Sequence, residues 1–180
     1  MAPTHHPTSS SDAGSPRTHI ASIDSTVMRR AMGRVPTSVA VVTAQCDGEP
    51  IGMTVGSLTL VSLDPPLVAF FAFAGSSTFA RIRDCERFCI NVLAEDQHEV
   101  CFGFATLDGA KFDVGEWDYH DGIPAVRGAV TTVLCEQDHI FETGDHLGML
   151  GKVMNVDFSD NRPLVYYRGQ TSQLDDQSLR

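Results

Sequence analysis

The sequence lacks most of the short motifs that identify common enzyme chemistries. It has no Gly-x-Gly-x-x-Gly, no Gly-x-x-x-x-Gly-Lys-Ser/Thr and no His-Glu-x-x-His segment. A Rossmann dinucleotide site, a P-loop and a zinc protease are therefore disfavoured. Gly-x-Ser-x-Gly is missing too, and no catalytic triad can be assigned, which argues against a hydrolase. No His/Cys cluster supports a catalytic metal, so we expect no metal site.

Positive charge and cysteine are also scarce. The 13 Lys and Arg residues face 23 Asp and Glu residues, giving a net charge of −10, which argues against nucleic acid or an anionic membrane as a partner. The five cysteines form no Cys-x-x-Cys pair and have apolar neighbours. We expect all five to be buried free thiols in a reducing cytosol.

No targeting or membrane segment is evident. The longest apolar run, at about residues 65–75, is too short to span a bilayer. The N-terminus shows no basic segment followed by an apolar one, so we expect no secretory signal and a cytoplasmic location.

The 180 residues predict one domain, with 42% hydrophobic and 20% charged residues, as is usual for globular proteins. Residues 1–22 are rich in Pro, Ser, Thr and His and predict a disordered tail, because such a segment buries too little apolar surface to offset its ordering entropy. Residues 23–172 form the predicted domain, and residues 173–180 a polar tail.

The hydrophobic pattern predicts a mainly β protein, an antiparallel barrel or sandwich of six or more strands with two or three short helices. Asp47-Gly48 predicts a hairpin turn. Predicted strands are 38–44, the stretch that begins at Pro50, 67–73, 88–93, 129–141, 147–158 and 163–169. Predicted helices begin at Ser22 or Asp24, at Ser77 or Thr78, and near Glu95; the last carries Val100 and Phe104 inward.

Several stretches allow a structural and a functional interpretation. The Gly52–Ser57 stretch is either a strand with satisfied hydroxyls or a polar-edged ledge for a flat ligand. Ser77 and Thr78 either cap a helix or hold an anion at its start. His146, beside an Asp and a Gly turn, is either structural or an oriented donor. Two aromatics and an arginine at 166–168 can stack on or clamp a planar ligand.

Four blocks in order resemble the short-chain flavin reductase family, which supplies reduced flavin to two-component monooxygenases. The blocks are Gly52–Ser57 running to Val68, Phe88–Leu93, Gly144–His146 and Pro163–Gly169, and together they span about residues 25–172. The resemblance implies a homodimeric FMN-binding split barrel with NAD(P)H as electron donor and FMN or FAD as acceptor. The family usually has a second hydroxyl residue and then an aromatic where this chain has Gly56 and Leu58, so the preferred flavin is not predicted.

The resemblance also implies the residues that bind the two nucleotides. Those expected to line the flavin ring are Gly52, Met53, Thr54, Val55, Gly56, Ser57, Phe71, Ala72 and Phe73. Those expected near its phosphates or tail are Ser77, Thr78, Gly103, Phe104 and Lys111. His146 is expected to position the nicotinamide, with Tyr166, Tyr167, Arg168 and Gly169 beside it.

The predicted activity is therefore reduction of FAD or FMN by NADH, through hydride transfer to flavin N5, for a partner monooxygenase or halogenase. NADH is favoured over NADPH because the sequence shows no obvious basic cluster for a 2′-phosphate. The alternative is a flavin-binding carrier or sensor without turnover on the same barrel.

Overall fold

The structure, a computed structural model, describes residues 22–106 and 110–174. Its strands are β1 Thr37–Ser38, β2 Ala40–Cys46, β3 Glu49–Val55, β4 Thr59–Leu63, β5 Pro66–Phe73, β6 Arg87–Val92, β7 Trp117–His120, β8 Ile123–Val126, β9 Thr131–Thr143, β10 His146–Phe158, β11 Val165–Tyr167 and β12 Gln170–Ser172. Its α-helices are α1 Ser25–Met32, α2 Ser77–Ile82 and α3 His98–Ala105, and Lys111–Asp113 forms one 3-10 turn. The predicted mainly β composition is confirmed.

The strands form one large antiparallel sheet and two small ones. The large sheet has seven strands in the order β3-β2-β6-β9-β10-β5-β4. The small sheets are β1-β11-β12 and the hairpin β7-β8. β3 is therefore an edge strand of the large sheet, which leaves one side of its backbone free to face a ligand.

Two hydrophobic cores meet at β2. Alternate residues of a strand point to opposite faces of the sheet. Ala40, Val42 and Ala44 accordingly pack into the larger core inside the curved sheet. Val39 and Val41 pack into a second core beneath α3. Both faces of β2 are buried except at Gln45, and this explains why its apolar residues do not simply alternate with polar ones.

Asn91, the polar residue inside the apolar β6 segment, joins β6 to β2 and β8 by hydrogen bonds. Its amide nitrogen donates to the Val41 carbonyl oxygen at 3.0 Å and lies 3.2 Å from Thr43 Oγ1. Its amide oxygen accepts from the Val126 backbone N–H at 2.9 Å. The Asn91 side chain is fully buried, and these bonds offset the cost of removing it from water.

The predicted helices are found, with one changed cap. Asp24 caps α1 by accepting from the Val27 N–H at 2.8 Å, as predicted. α2 is capped by Ser76, whose hydroxyl accepts from the Phe79 N–H at 3.2 Å, so the predicted caps, Ser77 and Thr78, are wrong. Because the cap is one residue earlier than predicted, the hydroxyls of Ser77 and Thr78 both lie in the first turn of α2.

One hairpin was not predicted, and one predicted strand needs correction. Asp121 and Gly122 adopt φ values of 50° and 80° and close the unpredicted β7-β8 hairpin. The strand predicted at 163–169 does not join the large sheet. It forms the short β11, which pairs with β1 and β12, because the left-handed turn at Arg168-Gly169 folds it back on itself.

The expectation of five free thiols is also wrong. Cys46, at the end of β2, and Cys85, after α2, form a disulfide with their Cα atoms 6.0 Å apart. The packing of α2 across the sheet brings together two positions 39 residues apart. Cys89, Cys101 and Cys135 are free and buried, and burial raises the pKa of Cys89 and of Cys135 to about 12.

The predicted tails lie outside the described residues, apart from Ser22 and residues 173–174. Among the helices of the described segments, none has the length and apolar character needed to cross a bilayer.

Candidate functional site

A cavity of about 380 Å³ lies between β3 and α2; we call it the β3–α2 cavity. It brings together three regions that sequence analysis singled out separately: Gly52 of β3, Ser77 and Thr78 of α2, and Lys111 of the 3-10 turn. Its other lining residues are Glu49, Pro50, Ile51, Arg81, Ala110, Phe112 and Asp113. Two hydroxyls and two cations therefore share one cavity, alongside two carboxylates.

Gly52 keeps the wall of this cavity flat. A Cβ at this position would lie 2.7 Å from Phe104 Cε1 and 2.9 Å from the Val42 carbonyl oxygen, closer than real Cβ contacts. Phe104 is 2% exposed and is held by edge contacts with Phe112 and Trp117. Only glycine fits here, because the ring beneath it cannot move away.

Lys111 lines the same cavity, near the same phenylalanine ring. Its Nζ is 6.0 Å from the centroid of the Phe104 ring, and partial burial lowers the pKa of its amine. A cation beside an aromatic ring and partly out of water interacts strongly with an added anion.

The Gly52–Ser57 segment, which we call the β3 ledge, carries hydroxyls that are already bonded within the protein. Thr54 Oγ1 donates to the Cys101 carbonyl oxygen at 2.9 Å. Ser57 Oγ donates to the Phe71 carbonyl oxygen and accepts from the Phe71 N–H, both at 2.9 Å. Thr54 keeps both acceptor lone pairs, whereas Ser57 mainly fastens the ledge to β5.

The far end of the ledge meets the His146 turn through β5. Phe73 and His146 are directly paired across β5 and β10, with ring centroids 6.1 Å apart. Ala72 pairs with Leu147 in the same register. At about 3.3 Å per residue, β3 advances about 13 Å from Gly52 to Gly56. The hydrogen bonds of Ser57 with Phe71 thus join the end of the ledge to the strand that carries Phe73, two residues further on.

His146 is oriented by its neighbour Asp145. Nδ1 of His146 lies 2.7 Å from Asp145 Oδ1, and this hydrogen bond, with the charge of His146 and that of Arg29, holds the pKa of the Asp145 carboxyl below its usual value. An ionised carboxylate only accepts, so Nδ1–H donates and Nε2 is left for a ligand. The His146 side chain is 45% exposed, so a ligand can reach it.

Tyr166, Tyr167, Arg168 and Gly169 do not reach the β3–α2 cavity. Arg168 and Gly169 line a second cavity of about 400 Å³ together with Arg29, Arg30, Gly33 and Arg34, which we call the arginine pocket. Thr37 pairs with Tyr166, and its Oγ1 would lie 3.3 Å from a Cβ at Gly56. β1 therefore places this group beside the far end of the ledge.

Other candidates lie around these groups. Gly103 is on α3, where a Cβ would lie 2.8 Å from Val114 Cγ2, so it serves the packing beneath the cavity. Met53 is half-buried and Val55 buried, and both pack at the larger core on the same face of β3.

Sequence reasoning missed Arg81 and the arginines of α1. Arg81 is one helical turn after Ser77 and Thr78, so the three side chains are neighbours on α2. This spacing is a signal from which Arg81 could have been predicted as a site residue. The α1 arginines had no such signal, because their partner Arg168 is more than 130 positions away in the sequence.

The described ranges contain no group of three or more His, Cys, Asp or Glu residues placed to hold a metal. The arrangement instead suits a long organic ligand. An anionic group fits beside Ser77, Arg81 and Lys111, a flat polar ring fits along the β3 ledge, and a second planar group fits at His146.

Comparisons with known proteins agree with this geometry. Residues 32–175 match the model of the flavin reductase like domain. A flavin reductase of Pseudomonas putida is 39% identical over 150 residues, covering 82% of this chain and 88% of that protein. The reductase subunit of a flavin-dependent monooxygenase from Rhodococcus jostii is 34% identical over 155 residues, covering 85% of this chain and 80% of that protein.

Among solved structures, an NADH:FAD oxidoreductase of Streptomyces globisporus, in complex with NAD and FAD fragments, superposes with a TM-score of 0.82 at 30% identity, covering 86% of this chain and 95% of that one. The split-barrel fold and the enzyme class implied by the sequence resemblance are confirmed. The chain belongs to the flavin reductase family.

Proposed function

We propose that the protein reduces FAD or FMN with NADH and supplies the reduced flavin to a partner monooxygenase or halogenase. One observation carries the proposal: the β3 ledge runs from a cavity of hydroxyls and cations at Gly52 to Ser57, which is bonded to β5, the strand whose Phe73 is paired with the oriented His146. A flavin nucleotide has the matching parts, a phosphate at one end and a flat polar ring at the other.

The residues of the β3–α2 cavity fit a flavin phosphate. Hydroxyls of Ser77 and Thr78 can donate to phosphate oxygens, and Arg81 can form paired charge-assisted bonds with them. Lys111 adds positive charge in a partly desolvated position. Gly52, the position where a Cβ would collide with Phe104, lets β3 pack directly on that buried ring and so sets the position of the ledge.

Along the ledge, the protein orients the ring rather than reacting with it. Backbone amides of the exposed edge of β3 and the free lone pairs of Thr54 are available to the ring heteroatoms, with Phe71, Ala72 and Phe73 as its apolar border. The bound flavin supplies the redox chemistry, accepting a hydride at N5 from C4 of the nicotinamide. No side chain is needed as an acid or base, and the ledge contributes by holding the ring in place.

His146 is proposed to position the nicotinamide. The Asp145 carboxylate fixes the imidazole so that Nε2 faces outward, where it can meet the carboxamide of the nicotinamide. Phe73 lies at the edge of the same imidazole and borders the proposed flavin ring. With His146 and Phe73 in these roles, the nicotinamide and the flavin ring would be held together where β5 pairs with β10.

A homodimer is also proposed, supported by large apolar side chains that the monomer leaves exposed. Leu60 and Leu63 of β4 are 63% and 81% exposed, and Phe158 of β10 is 81% exposed. Association with a second copy would remove such side chains from water. Residues 23–172 as the functional domain and a cytoplasmic location stay predictions.

The test is anaerobic absorbance spectroscopy of the purified protein with FAD or FMN and with NADH. Catalytic loss of the oxidised flavin band is expected, and the relative rates rank the two flavins. Binding of flavin without bleaching by either nicotinamide nucleotide would identify a carrier or sensor instead of an enzyme.

A further inference from the structure

The helix that lines the β3–α2 cavity is held in place partly by a disulfide. α2 has six residues, too few for a helix that is stable without tertiary contacts. Phe79 and Ile82 anchor its inner face, since both are buried. The Cys46–Cys85 disulfide joins the segment just after the helix to the end of β2. The position of α2 therefore depends on whether this bond is closed.

Arg81 connects the disulfide with the flavin side of the molecule. It lines the β3–α2 cavity and also a smaller cavity of about 240 Å³. The Arg81 carbonyl oxygen lies 3.4 Å from Cys46 Sγ and 3.3 Å from Cys85 Sγ. Both sulfur atoms therefore contact the backbone of a residue that is proposed to bind the flavin phosphate.

The smaller cavity, which we call the disulfide cavity, gives a small reagent access to the bond. Its lining residues are Gln45, Cys46, Asp47, Arg81, Asp84 and Cys85. Cys46 is buried, whereas Cys85 is half-buried. Thiol–disulfide exchange requires an attacking thiolate to reach one of the two sulfur atoms. Attack is therefore expected at Cys85, with Cys46 as the leaving group.

The remaining cysteines are poor sites for the same chemistry. Cys89, Cys101 and Cys135 are buried. Burial raises the pKa of the Cys101 thiol, and it raises the pKa of Cys89 and of Cys135 to about 12. The thiolate is the reactive form of cysteine, so thiol exchange in the native protein is confined to the Cys46–Cys85 pair.

The reduced pair also fits its surroundings. Each thiol can donate to the Arg81 carbonyl oxygen, which already lies within reach of both sulfur atoms. Opening the bond therefore leaves neither S–H group without an acceptor. What changes is the constraint on the end of α2, which is then held by Phe79 and Ile82 alone among these anchors.

We infer that Cys46–Cys85 is a thiol-exchange site whose redox state sets the affinity of the β3–α2 cavity for the flavin phosphate, an inference that rests on the proposed function. A glutathione thiolate attacks Cys85 Sγ, the disulfide breaks, and Cys46 leaves as a thiolate that takes up a proton. A second glutathione thiolate releases Cys85, which is protonated in turn, and forms oxidised glutathione. Two electrons thus pass to the protein disulfide, and the reverse sequence closes it.

The first experiment locates the exchange with two single variants. C46S keeps the half-buried Cys85 thiol, and C85S, its matched control, keeps the buried Cys46 thiol. After folding is checked by circular dichroism, each native variant is incubated with oxidised glutathione and its intact mass is measured. C46S is expected to gain one glutathione much faster than C85S. No gain by C46S, or equal rates for the two variants, overturns the inference.

The second experiment measures whether the native bond responds to glutathione. Wild-type protein is equilibrated in buffers of reduced and oxidised glutathione, and its thiols are counted after an acid quench. The Cys46–Cys85 pair is expected to open at the reducing end of the series and to close at the oxidising end. A bond that stays closed in the most reducing buffer is a structural cross-link only, and this result excludes a role in exchange.

The third experiment measures flavin affinity in the two redox states by fluorescence titration. The reduced wild type should bind FMN about fivefold more weakly than the oxidised protein, and riboflavin, which has no phosphate, less than about twofold more weakly. C46S/C85S should match the reduced wild type in both buffers. In R81Q the redox state should no longer alter FMN affinity, because the effect acts through that residue. Equal FMN affinity in both states, or equal weakening of riboflavin, overturns the inference.

A fourth readout, amide hydrogen exchange of the flavin-free protein, requires no ligand. Reduction should speed exchange in Ser77–Ile82 and leave Thr131–Thr143 and His146–Phe158 unchanged. Unchanged exchange in α2, or an equal increase in all three segments, contradicts the inference. Failure of the proposed function is recognised separately, since the oxidised protein would then bind neither flavin while α2 still responded to reduction.

Discussion

The two ends of the proposed site are built by different physical means. The β3–α2 cavity depends on packing: Gly52 touches a buried ring, and α2 is tied to β2 by the Cys46–Cys85 disulfide. The His146 turn and the arginine pocket depend on exposed charges and hydrogen bonds. Changes at the first end should therefore reduce both stability and flavin binding, whereas changes at the second should alter nucleotide use in a protein that stays equally stable.

The largest effect is expected from opening the Cys46–Cys85 disulfide. It closes a loop of 39 residues, and such cross-links contribute about 2–4 kcal/mol to the free energy of unfolding. Reduction should lower the melting temperature and weaken flavin binding while the KM for NADH changes little. C46S/C85S is the matched variant.

Thiol titration of the denatured, unreduced protein checks the premise. Of the five cysteines, three should react. Five reactive thiols would show that the bond is not formed, and the contrast between the two ends would then rest on Gly52 alone.

Gly52→Ala should have the next largest effect. The new Cβ would contact Phe104 and the Val42 carbonyl oxygen, and overpacking of this kind costs about 1–3 kcal/mol. Urea unfolding measures the loss of stability, and fluorescence titration measures the loss of flavin affinity. For the loss of stability, Gly56→Ala is the control, because its Cβ would lie 3.3 Å from the Thr37 hydroxyl, a side chain that can rotate away.

Arg81→Gln tests the charge of the packed end without altering its packing. The dissociation constant for FMN should rise about tenfold, equivalent to about 1.4 kcal/mol, while that for riboflavin, which has no phosphate, stays the same. Arg83→Gln serves as the control, because Arg83 does not line the cavity. Equal weakening of FMN and riboflavin would place the phosphate elsewhere.

Asp145→Asn should have the smallest effect, confined to the nicotinamide side. Loss of the carboxylate frees the His146 ring, so the KM for NADH should rise about threefold. The pKa of Asp145 is lowered in the folded protein, so its interaction is complete above the unfolded pKa and is lost as the pH falls through the folded one. The difference between variant and wild type should be constant near neutral pH and shrink only in acid.

If the difference in the KM for NADH between variant and wild type persists unchanged in acid, the role of Asp145 does not depend on its charge. His146→Ala in the same assays should raise the KM for NADH further and leave flavin binding intact. Kinetics equal to those of the wild type would remove His146 from the site.

Local sequence patterns determined much of the secondary structure of this protein. The apolar run of β2, the Asp47-Gly48 hairpin and the polar cap of α1 follow from short-range backbone preferences. The order of the four blocks determined the family, and with it the residues at which binding is proposed.

Only the tertiary structure decided which distant residues meet. The disulfide between Cys46 and Cys85, the position of Arg81 in the flavin-side cavity and the grouping of Arg34 with Arg168 depend on how helices and turns pack across the sheet. A local pattern reports the conformation of a segment but not its partners, since those are selected by the burial of apolar surface across the whole chain.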